Sequence, residues 1–389
     1  MTRRPLRVLF VTHAFPRHAG DGAGAFVLAL ARAVYAFDVD VEVLAPSAPG
    51  LLATDNIEGI RVHRYRYAPA SWETLAYAGT MAEQVSASLK GKLALALLLF
   101  NGRRAVRRVV RSQRFDLVHT HWWFPSGLMC GGLGVPFIVT MHGSDVRLAI
   151  GTQSRALFRR VAAGAAALYA VSGWLARLAR EALGTRASVD TAPMPANTAL
   201  FSPVATATRL PDRMLFVGRL NAQKGLDDLL QAMARSRKPW TLDIVGDGPD
   251  RDALAQRAQT LGIESRVHWL GHLAQSELPA LYTRSAALII PSTDEGLGLV
   301  GVEAALCETP AVAYASGGLT DVVKDSATGW LVPAGDIAAL SHAIDAAVDR
   351  PTKARAYGAA ARVRALAVFS PDAVGARYRA AYDAAMERR

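Results

Sequence analysis

At 389 residues the chain exceeds what one hydrophobic core usually serves, so its length predicts two domains, or three at most. A content of 51% hydrophobic and 20% charged residues is globular and excludes an intrinsically disordered chain. The net charge of +11 is concentrated in residues 1–190, which hold 23 Lys and Arg against 12 Asp and Glu, while residues 191–389 hold 21 of each kind. Such a basic half is typical of a nucleic-acid surface, an anionic membrane surface or a site for an acidic substrate. A GC-rich genome, which favours Arg and Ala, would explain the high net charge but less readily its concentration in one half.

The sequence predicts neither a structural metal site nor a membrane-spanning segment. Cys130 and Cys307 stand alone, without a second Cys or His at ligand spacing, so we expect no disulfide or zinc and a reducing, cytoplasmic environment. The longest apolar run, 93–100, is far shorter than the roughly 20 residues of a spanning helix. Residues 6–12 lack a cleavage site behind them and are predicted as a first strand instead of a signal peptide.

Short β-branched apolar runs alternate with helical patterns along the whole chain, which predicts βαβ units, parallel sheets and the α/β class. The predicted strands are 7–12, 39–44, 60–65, 116–119, 136–140 and 167–171 in the first half, and 214–217, 242–245, 267–270, 287–290 and 311–314 in the second. The predicted helices between them include 25–34, 172–181, 226–233 and 250–261.

A proline-rich stretch between Gly184 and Pro211 separates the two halves. We therefore predict an N-terminal domain over 1–190, a linker over 191–212 and a C-terminal domain over 213–389, with the last helix as a candidate to pack back on the first domain. Both domains are expected to be Rossmann-like and doubly wound. Ligands of such sheets bind at the carboxyl ends of the strands, so we expect the site in a cleft between the halves.

A basic segment follows the apolar run 93–100. Its arginines recur at helical spacing, which favours a basic amphipathic helix of the kind that lies on anionic membranes. A solvated outer helix face is the alternative. The residues are Arg103, Arg104, Arg107, Arg108, Arg111 and Arg114.

The segment from Phe216 to Gly225, FVGRLNAQKG, runs from a predicted strand through a glycine turn into a helix. Arg219 and Lys224 thus leave the carboxyl end of the first strand of the second domain. A guanidinium binds phosphate oxygens in a bidentate fork, and an ammonium adds a compact charge, so the pair suits a diphosphate. Two solvated loop charges are the alternative.

The segment from Pro291 to Glu303, PSTDEGLGLVGVE, again follows a predicted strand. A helix that begins near Gly298 places Glu303 in its second turn and leaves Glu295 on the preceding loop. The glycines allow a ligand to approach the backbone, and the helix N-terminus favours an anion. Two carboxylates held at different depths could bind hydroxyl groups at two places on one nucleotide-sugar. The alternative is that the two glutamates have no common function.

Three further loops follow predicted strands. Gly246 and Gly248 belong to a tight turn, GDGP; His142 begins the segment HGSD; and Gly22 and Gly24 lie in the loop GDGAG before the first helix. Each one alone is more often structural than functional.

Together these segments resemble the retaining nucleotide-sugar glycosyltransferases of family four, which have the GT-B fold. The resemblance spans nearly the whole chain, and its most specific part is the ordered set of Gly218-Arg219 with Lys224-Gly225, then GDGP, then Glu295 followed after seven residues by Glu303.

The resemblance implies a role for each matching residue. Arg219 and Lys224 would bind the donor diphosphate and stabilise the leaving group, and Glu303 would hold the ribose. Glu295 would bind the donor sugar, and His142 would contact that sugar near the reacting carbon. The remaining donor-binding candidates are Gly22, Gly24, Gly218, Gly246, Gly248, the base-site pair His272 and Leu273, and the backbone of Gly296, Leu297, Gly298 and Leu299.

The resemblance also implies the activity: transfer of a hexosyl group from a UDP- or GDP-sugar, with retention of configuration and without a metal or other cofactor, in glycan or glycolipid synthesis. The acceptor would be lipid-linked or a saccharide, and the basic segment suggests work at the inner face of the cytoplasmic membrane. The alternatives are a dinucleotide-dependent oxidoreductase, because the stretch from Gly20 to Ala25 fits a loose G-x-G-x-x-A, or a non-catalytic sugar- or lipid-binding protein. No motif supports nucleic-acid binding.

Overall fold

The computed structural model describes residues 4–77, 81–184 and 187–387, which divide into two compact units. The first unit comprises 1–195 together with 371–389, and the second comprises 196–370. The charge asymmetry is sharper between units than between halves of the sequence: the first holds 27 Lys and Arg against 15 Asp and Glu, and the second 17 against 18.

Eight strands of the described part of the first unit form one sheet, in the order β3-β4-β2-β1-β5-β6-β7-β8. Only β3 runs antiparallel to its neighbour. The strands are β1 (Leu6–Val11), β2 (Val39–Pro46), β3 (Thr54–Ile57), β4 (Ile60–Tyr65), β5 (Leu117–His121), β6 (Phe137–Met141), β7 (Ala167–Ala170) and β8 (Asp190–Thr191). The helices between them are α1 (Ala25–Tyr35), α2 (Met81–Ala87), α3 (Leu89–Ser112), α4 (Ser144–Ile150), α5 (Thr152–Gly164) and α6 (Gly173–Leu183).

The second unit contains a parallel sheet of six strands in its described residues, in the order β11-β10-β9-β12-β13-β14. The strands are β9 (Leu210–Val217), β10 (Thr241–Val245), β11 (Val267–Gly271), β12 (Ser285–Ile290), β13 (Ala311–Tyr314) and β14 (Gly329–Val332). The helices are α7 (Leu226–Arg235), α8 (Arg251–Thr260), α9 (Leu278–Arg284), α10 (Leu299–Leu306), α11 (Leu319–Val322), α12 (Ile337–Asp349) and α13 (Pro351–Phe369).

The last helix, α14 (Pro371–Glu387), belongs to the first unit and packs against α1. The backbones of α14 and α1 approach each other closely, because a Cβ added at Gly375 would lie 2.5 Å from the carbonyl oxygen of Ala33. Val374, Tyr378 and Tyr382 of α14 are fully buried. The chain therefore completes its first unit with its final residues.

Burial explains why these segments form their elements. β12 is buried at every position and reads as a continuous apolar run, as expected for a strand covered by helices on both faces. Helix α7 buries Leu226, Leu229, Leu230 and Met233, which recur with helical periodicity and face the core of the second unit.

Each sheet has one point where the strand order reverses. In the second unit the chain runs outward from β9 to β11 and then returns to place β12 on the other side of β9. In the first unit β1 lies between β2 and β5 in the same way. Loops leave these adjacent strands toward opposite faces, so a crevice opens at their carboxyl ends.

The predicted α/β class with two doubly wound sheets is confirmed. Every predicted strand is present, whereas β3, β8, β14, α12 and α13 were not predicted. None of the helices among the described residues is long and apolar enough to span a membrane.

Candidate functional site

The loop after β9 carries the two predicted cations of the second unit. The ammonium of Lys224 lies 2.6 Å from Oε2 of Glu295, which sits on the loop after the neighbouring strand β12. Arg219 is exposed, and its guanidinium forms no hydrogen bond or ion pair with any other residue that the structure describes. The sheet thus brings an ion pair and a free cation to its reversal point.

Backbone hydrogen bonds join the same two loops. The amide N–H of Thr293 donates to the carbonyl of Gln223 at 3.0 Å, and the side-chain amide of Gln223 donates to the carbonyl of Asp294. Gly225 has φ +66°, and a Cβ there would overlap the carbonyl oxygen of Pro291. This glycine therefore allows the close approach that places Lys224 beside Glu295.

Helix α10 starts next to this ion pair. Gly298 precedes it with φ +86°, and no side chain caps the N-terminus. Leu297 is buried, while Gly296 and Leu299 are half-buried. The uncapped N–H groups make this end favourable for an anion.

Glu303 lies one turn into α10 and is mostly buried. Its Oε2 accepts a hydrogen bond of 2.9 Å from the hydroxyl of Tyr282. Burial raises the pKa of Glu303 to about 7, although the hydrogen bond from Tyr282 opposes the shift. Near neutral pH this carboxyl can therefore exchange between acceptor-only and donor forms.

The glycine turn GDGP packs directly on the Arg219 loop. A Cβ at Gly246 would overlap the carbonyl oxygen of Gly218, and one at Gly248 would overlap that of Leu220. Gly218 itself has room, because the nearest atom to an added Cβ is Cδ or Cγ of Lys224 at 3.7 Å. Gly246 and Gly248 are thus required by packing, whereas a Cβ at Gly218 would make only ordinary van der Waals contacts.

Sequence reasoning missed a second glycine pair at this site. Gly317 and Gly318 follow β13, and a Cβ at either would overlap the carbonyl oxygen of Glu295 or Gly296. The N–H of Gly318 donates to the carbonyl of Glu295 at 2.7 Å. Gly317 and Gly318 thus fix the loop that carries Glu295. Their position just after a predicted strand is the feature of the sequence that could have indicated them.

His272 and Leu273 follow β11 at the edge of the same sheet. His272 is exposed and Leu273 is half-buried. Their loop is tied to the glycine turn, since the N–H of Gly246 donates to the carbonyl of Gly271 at 2.8 Å. Their assignment to a nucleobase stays a prediction.

In the first unit, His142 lies after β6 within an aromatic cluster. Its ring centroid is 4.4 Å from that of Trp122 and 5.0 Å from that of Phe26, and its Nε2 is 3.1 Å from Nδ1 of His121. His13, which follows β1, lies 4.3 Å from Trp122. The carboxyl ends of β1, β5 and β6 thus meet at this cluster.

Asp145 fixes the backbone of this segment. Its Oδ1 accepts hydrogen bonds from the N–H groups of His142 and Gly143 at 3.0 and 3.1 Å, and its Oδ2 accepts one from Trp123 at 3.0 Å. Burial raises the pKa of Asp145 to about 6 in spite of these bonds. The conformation of His142 therefore depends on a carboxylate three residues later.

The glycines before α1 differ from one another. Gly24 has φ +67° and a Cβ there would overlap the carbonyl of Ala14, so packing demands a glycine. Nothing lies within 4 Å of a Cβ at Gly22, which leaves that position open. Phe26 follows Gly24 by two residues, and its ring contacts the ring of His142.

His13, His119 and His121 were not predicted as site residues. His119 and His121 are two residues apart on β5, so both side chains point to the same face of the sheet. This i, i+2 spacing is the feature of the sequence that could have indicated them as site residues. Trp122 and Trp123, which follow β5 directly, are buried. The described residues contain no group of three or more His, Cys, Asp or Glu arranged to hold a metal ion.

Two family models match successive parts of the chain. The family model "Glycosyl transferase 4-like domain" matches residues 21–195, and "Glycosyl transferases group 1" matches residues 208–364. Glycogen synthase of Mycobacterium tuberculosis is 30% identical over 400 residues, covering 94% of this chain and 91% of the relative. A GDP-mannose-dependent α-(1-6)-phosphatidylinositol monomannoside mannosyltransferase of Mycolicibacterium smegmatis is 32% identical over 248 residues, covering 59% of this chain and 65% of the relative.

Among solved structures, the sucrose-phosphate synthase of Thermosynechococcus elongatus has a TM-score of 0.78 at 24% identity, over 97% of this chain and 98% of that one. This likeness shows the fold. The relatives show the enzyme class, which sets aside the oxidoreductase alternative. The chain is therefore a member of the family-four glycosyltransferases with the GT-B fold.

Proposed function

We propose that the enzyme transfers a hexosyl group from a UDP- or GDP-type sugar to a lipid-linked or saccharide acceptor, with retention of anomeric configuration. The observation that carries the proposal is the ion pair of Lys224 and Glu295 beside the unpaired Arg219 at the reversal point of the second sheet. A cation and a carboxylate at one place suit a ligand that is anionic at its phosphate and hydroxylated at its sugar.

In this proposal Arg219 and Lys224 bind the donor diphosphate. Departure of the nucleoside diphosphate develops negative charge on the leaving oxygen, and fixed cations stabilise that charge without reorganisation. Gly218 carries no side chain that would keep phosphate oxygens from Lys224, whose Cγ and Cδ lie 3.7 Å from the position of an added Cβ. Because two side chains supply the positive charge, we propose that transfer needs no metal ion.

Glu303 would accept hydrogen bonds from the ribose hydroxyls, and His272 with Leu273 would frame the nucleobase. Gly246 and Gly248 would shape the backbone under the phosphates. The uncapped N-terminus of α10, with Gly296, Leu297, Gly298 and Leu299, would bind the sugar and its phosphate beside Glu295.

The first unit would supply His142 to the transferred sugar and Gly22 or Gly24 to the phosphates. In the second unit the carboxylate of Glu295 is held in an ion pair with Lys224 and is thus a weak candidate for a covalent nucleophile. We therefore propose front-face attack by the acceptor through an oxocarbenium-like state, which retains the configuration.

The proposed acceptor side is basic and partly apolar. Helix α3 exposes Leu93 and Phe100, 48% and 58% accessible, and then Arg104 and Arg107, at spacings that share one face. Arg108, Arg111 and Arg114 are exposed as well, but Arg114 lies beyond the end of the helix, and Arg103 is half-buried. This stripe supports work at an anionic membrane surface on the inner face of the cytoplasmic membrane, in glycan or glycolipid synthesis, and the lipid acceptor named for the Mycolicibacterium relative agrees with it.

A nucleotide panel followed by a transfer assay tests the proposal. The native enzyme should gain thermal stability with UDP or GDP, because a ligand that binds only the folded state raises Tm. The matching donor should then release nucleoside diphosphate in the presence of EDTA, and NMR of the product should show the donor's anomeric configuration. Binding without transfer to any lipid or saccharide acceptor would support the non-catalytic alternative instead.

A further inference from the structure

Two tyrosines of α14 reach the sheet beneath the His142 cluster. The hydroxyl of Tyr382 lies 2.9 Å from Nδ1 of His119, and that of Tyr378 lies 3.2 Å from Oγ1 of Thr140. Nε2 of His119 is 2.8 Å from the same Thr140 oxygen, and Tyr378 also lies 3.1 Å from the carbonyl oxygen of Ala192. These groups form one continuous hydrogen-bonded chain within the first unit.

The carbonyl at the end of this chain fixes the direction of every bond. A carbonyl only accepts, so Tyr378 donates its proton to Ala192. Thr140 then donates to the oxygen of Tyr378 and accepts the Nε2–H of His119. Nδ1 of His119 accepts from Tyr382. Burial keeps the pKa of His119 well below its usual value, so the ring is neutral and carries its single proton on Nε2.

The fixed ring of His119 holds His121 in turn. The ring centroids of His119 and His121 are 4.3 Å apart. The ring of Phe10, on the neighbouring strand β1, lies 5.0 Å from that of His121. Nδ1 of His121 faces Nε2 of His142 at 3.1 Å. Its own Nε2 is buried and has no hydrogen-bond partner among the residues described.

This orphan nitrogen decides which ring donates. Burial lowers the pKa of His121 and of His142, so each ring carries one proton. If His142 donated, His121 would carry its proton on Nε2 as a buried N–H without an acceptor. Orphaned buried donors are rarer than under-satisfied acceptors. His121 therefore carries its proton on Nδ1 and donates it to His142.

His142 is left with its proton on Nδ1, a nitrogen for which the described residues offer no hydrogen-bond partner. We propose that His121 is a positioning residue that holds His142 in the Nδ1–H form and so presents an N–H donor to the transferred sugar. The inference rests on the proposed function, in which His142 contacts that sugar. The hydrogen bond of one ring nitrogen sets the tautomer of the other, as is general for histidine.

The test combines NMR and kinetics on the full-length enzyme. Long-range ¹⁵N–¹H spectra of histidine-labelled protein report the protonated nitrogen of each ring, and a His142→Gln variant assigns the His142 signals. In His121→Asn the amide nitrogen occupies the place of Nδ1 and can still donate. In His121→Phe the ring volume remains and the donor is lost.

We expect His142 to be protonated on Nδ1 in the native enzyme and in His121→Asn, and to shift toward the other tautomer in His121→Phe. The kcat of His121→Phe should fall roughly 10- to 100-fold, the range known for groups that orient metal-ligating histidines. The KM for the donor should stay within about threefold, because the contacts proposed for the diphosphate and the nucleoside involve neither His121 nor His142. His121→Asn should recover most of the lost kcat.

Three results would overturn the inference: an Nε2–H form of His142 in the native enzyme, an unchanged His142 spectrum in His121→Phe, or a changed spectrum with native kcat. If His121→Phe does not fold, His121→Gln replaces it, since its longer side chain places the amide near Nε2 instead of Nδ1. An enzyme that transfers no sugar contradicts the proposed function, while the spectra still decide the tautomer.

Discussion

Lys224 and Glu295 form an ion pair of 2.6 Å across two adjacent strand-end loops of the second unit. The pair holds the ammonium in place before any ligand arrives, and it also keeps a negative charge where we propose that a diphosphate binds. A fixed cation is favourable for the transition state, whereas the adjacent carboxylate opposes binding of a free anion. The two residues should therefore behave differently when mutated.

Lys224→Met should lower kcat roughly 10²- to 10³-fold, since one preorganised charge at the leaving group is worth that much. Lys238→Met is the matched control, because Lys238 forms a surface ion pair of 2.7 Å with Asp349. Such a surface pair contributes about 0–1 kcal/mol to stability, so Lys238→Met should not unfold. Steady-state kinetics and thermal unfolding check both, and equal activity of the two variants contradicts the role of Lys224.

Glu295→Gln should separate binding of the product nucleotide from transfer. Removal of the carboxylate frees Lys224, so UDP or GDP should bind at least as tightly as to the native enzyme. Transfer should nevertheless fall roughly 10²-fold or more, because a sugar contact made at the reacting centre is lost. Calorimetry with the nucleotide and a transfer assay measure the two effects, and weaker nucleotide binding would count against this arrangement.

Glu303 predicts a pH dependence of stability near neutrality. Its pKa is raised from 4.5 to about 7, so between these values the folded state binds more protons than the unfolded state. The contribution of Glu303 to stability should therefore decrease as pH rises from 4.5 to 7. Glu303→Gln should flatten this part of the curve, which denaturant unfolding at several pH values measures. An unchanged slope would mean that the carboxyl is already ionised at pH 5.

Two neighbouring glycines should respond in opposite ways to alanine. Gly246→Ala places a Cβ on the carbonyl of Gly218 at φ +132°, so the fold should lose about 3 kcal/mol or more. Gly218→Ala has room and should keep nearly native stability. If phosphate oxygens occupy that space, Gly218→Ala should weaken nucleotide binding. Native affinity in Gly218→Ala would place the diphosphate elsewhere.

The exposed stripe of α3 predicts binding to anionic vesicles. Replacing Arg104, Arg107 and Arg108 by Gln should cost about 1 kcal/mol of binding per charge, and Phe100→Ser should weaken it further by exposing less apolar area. Arg235→Gln and Arg350→Gln in the nearly neutral second unit are the control. Co-sedimentation with phosphatidylserine and with neutral vesicles measures the difference, and equal recovery on both would leave the charge without a membrane role.

Most of the fold follows from local patterns in the sequence, because buried parallel strands are continuous apolar runs bounded by glycine and proline. The strand β14 escaped prediction because GWLV is short and follows a polar turn. The donor-side residues lie in loops directly after strands, so their order along the chain indicates their neighbourhood. The histidines of β5 were harder to find, because only the completed sheet and α14 show which of their nitrogens have partners.

The place of α14 has a consequence for synthesis. Its buried tyrosines complete a core whose other elements leave the ribosome almost two hundred residues earlier. Until α14 is synthesised, the apolar face of α1 and the ring of His119 lack their cover. A nascent chain thus carries an unfinished first unit throughout translation of the second, and a frameshift before α14 would damage the unit whose other elements were already made.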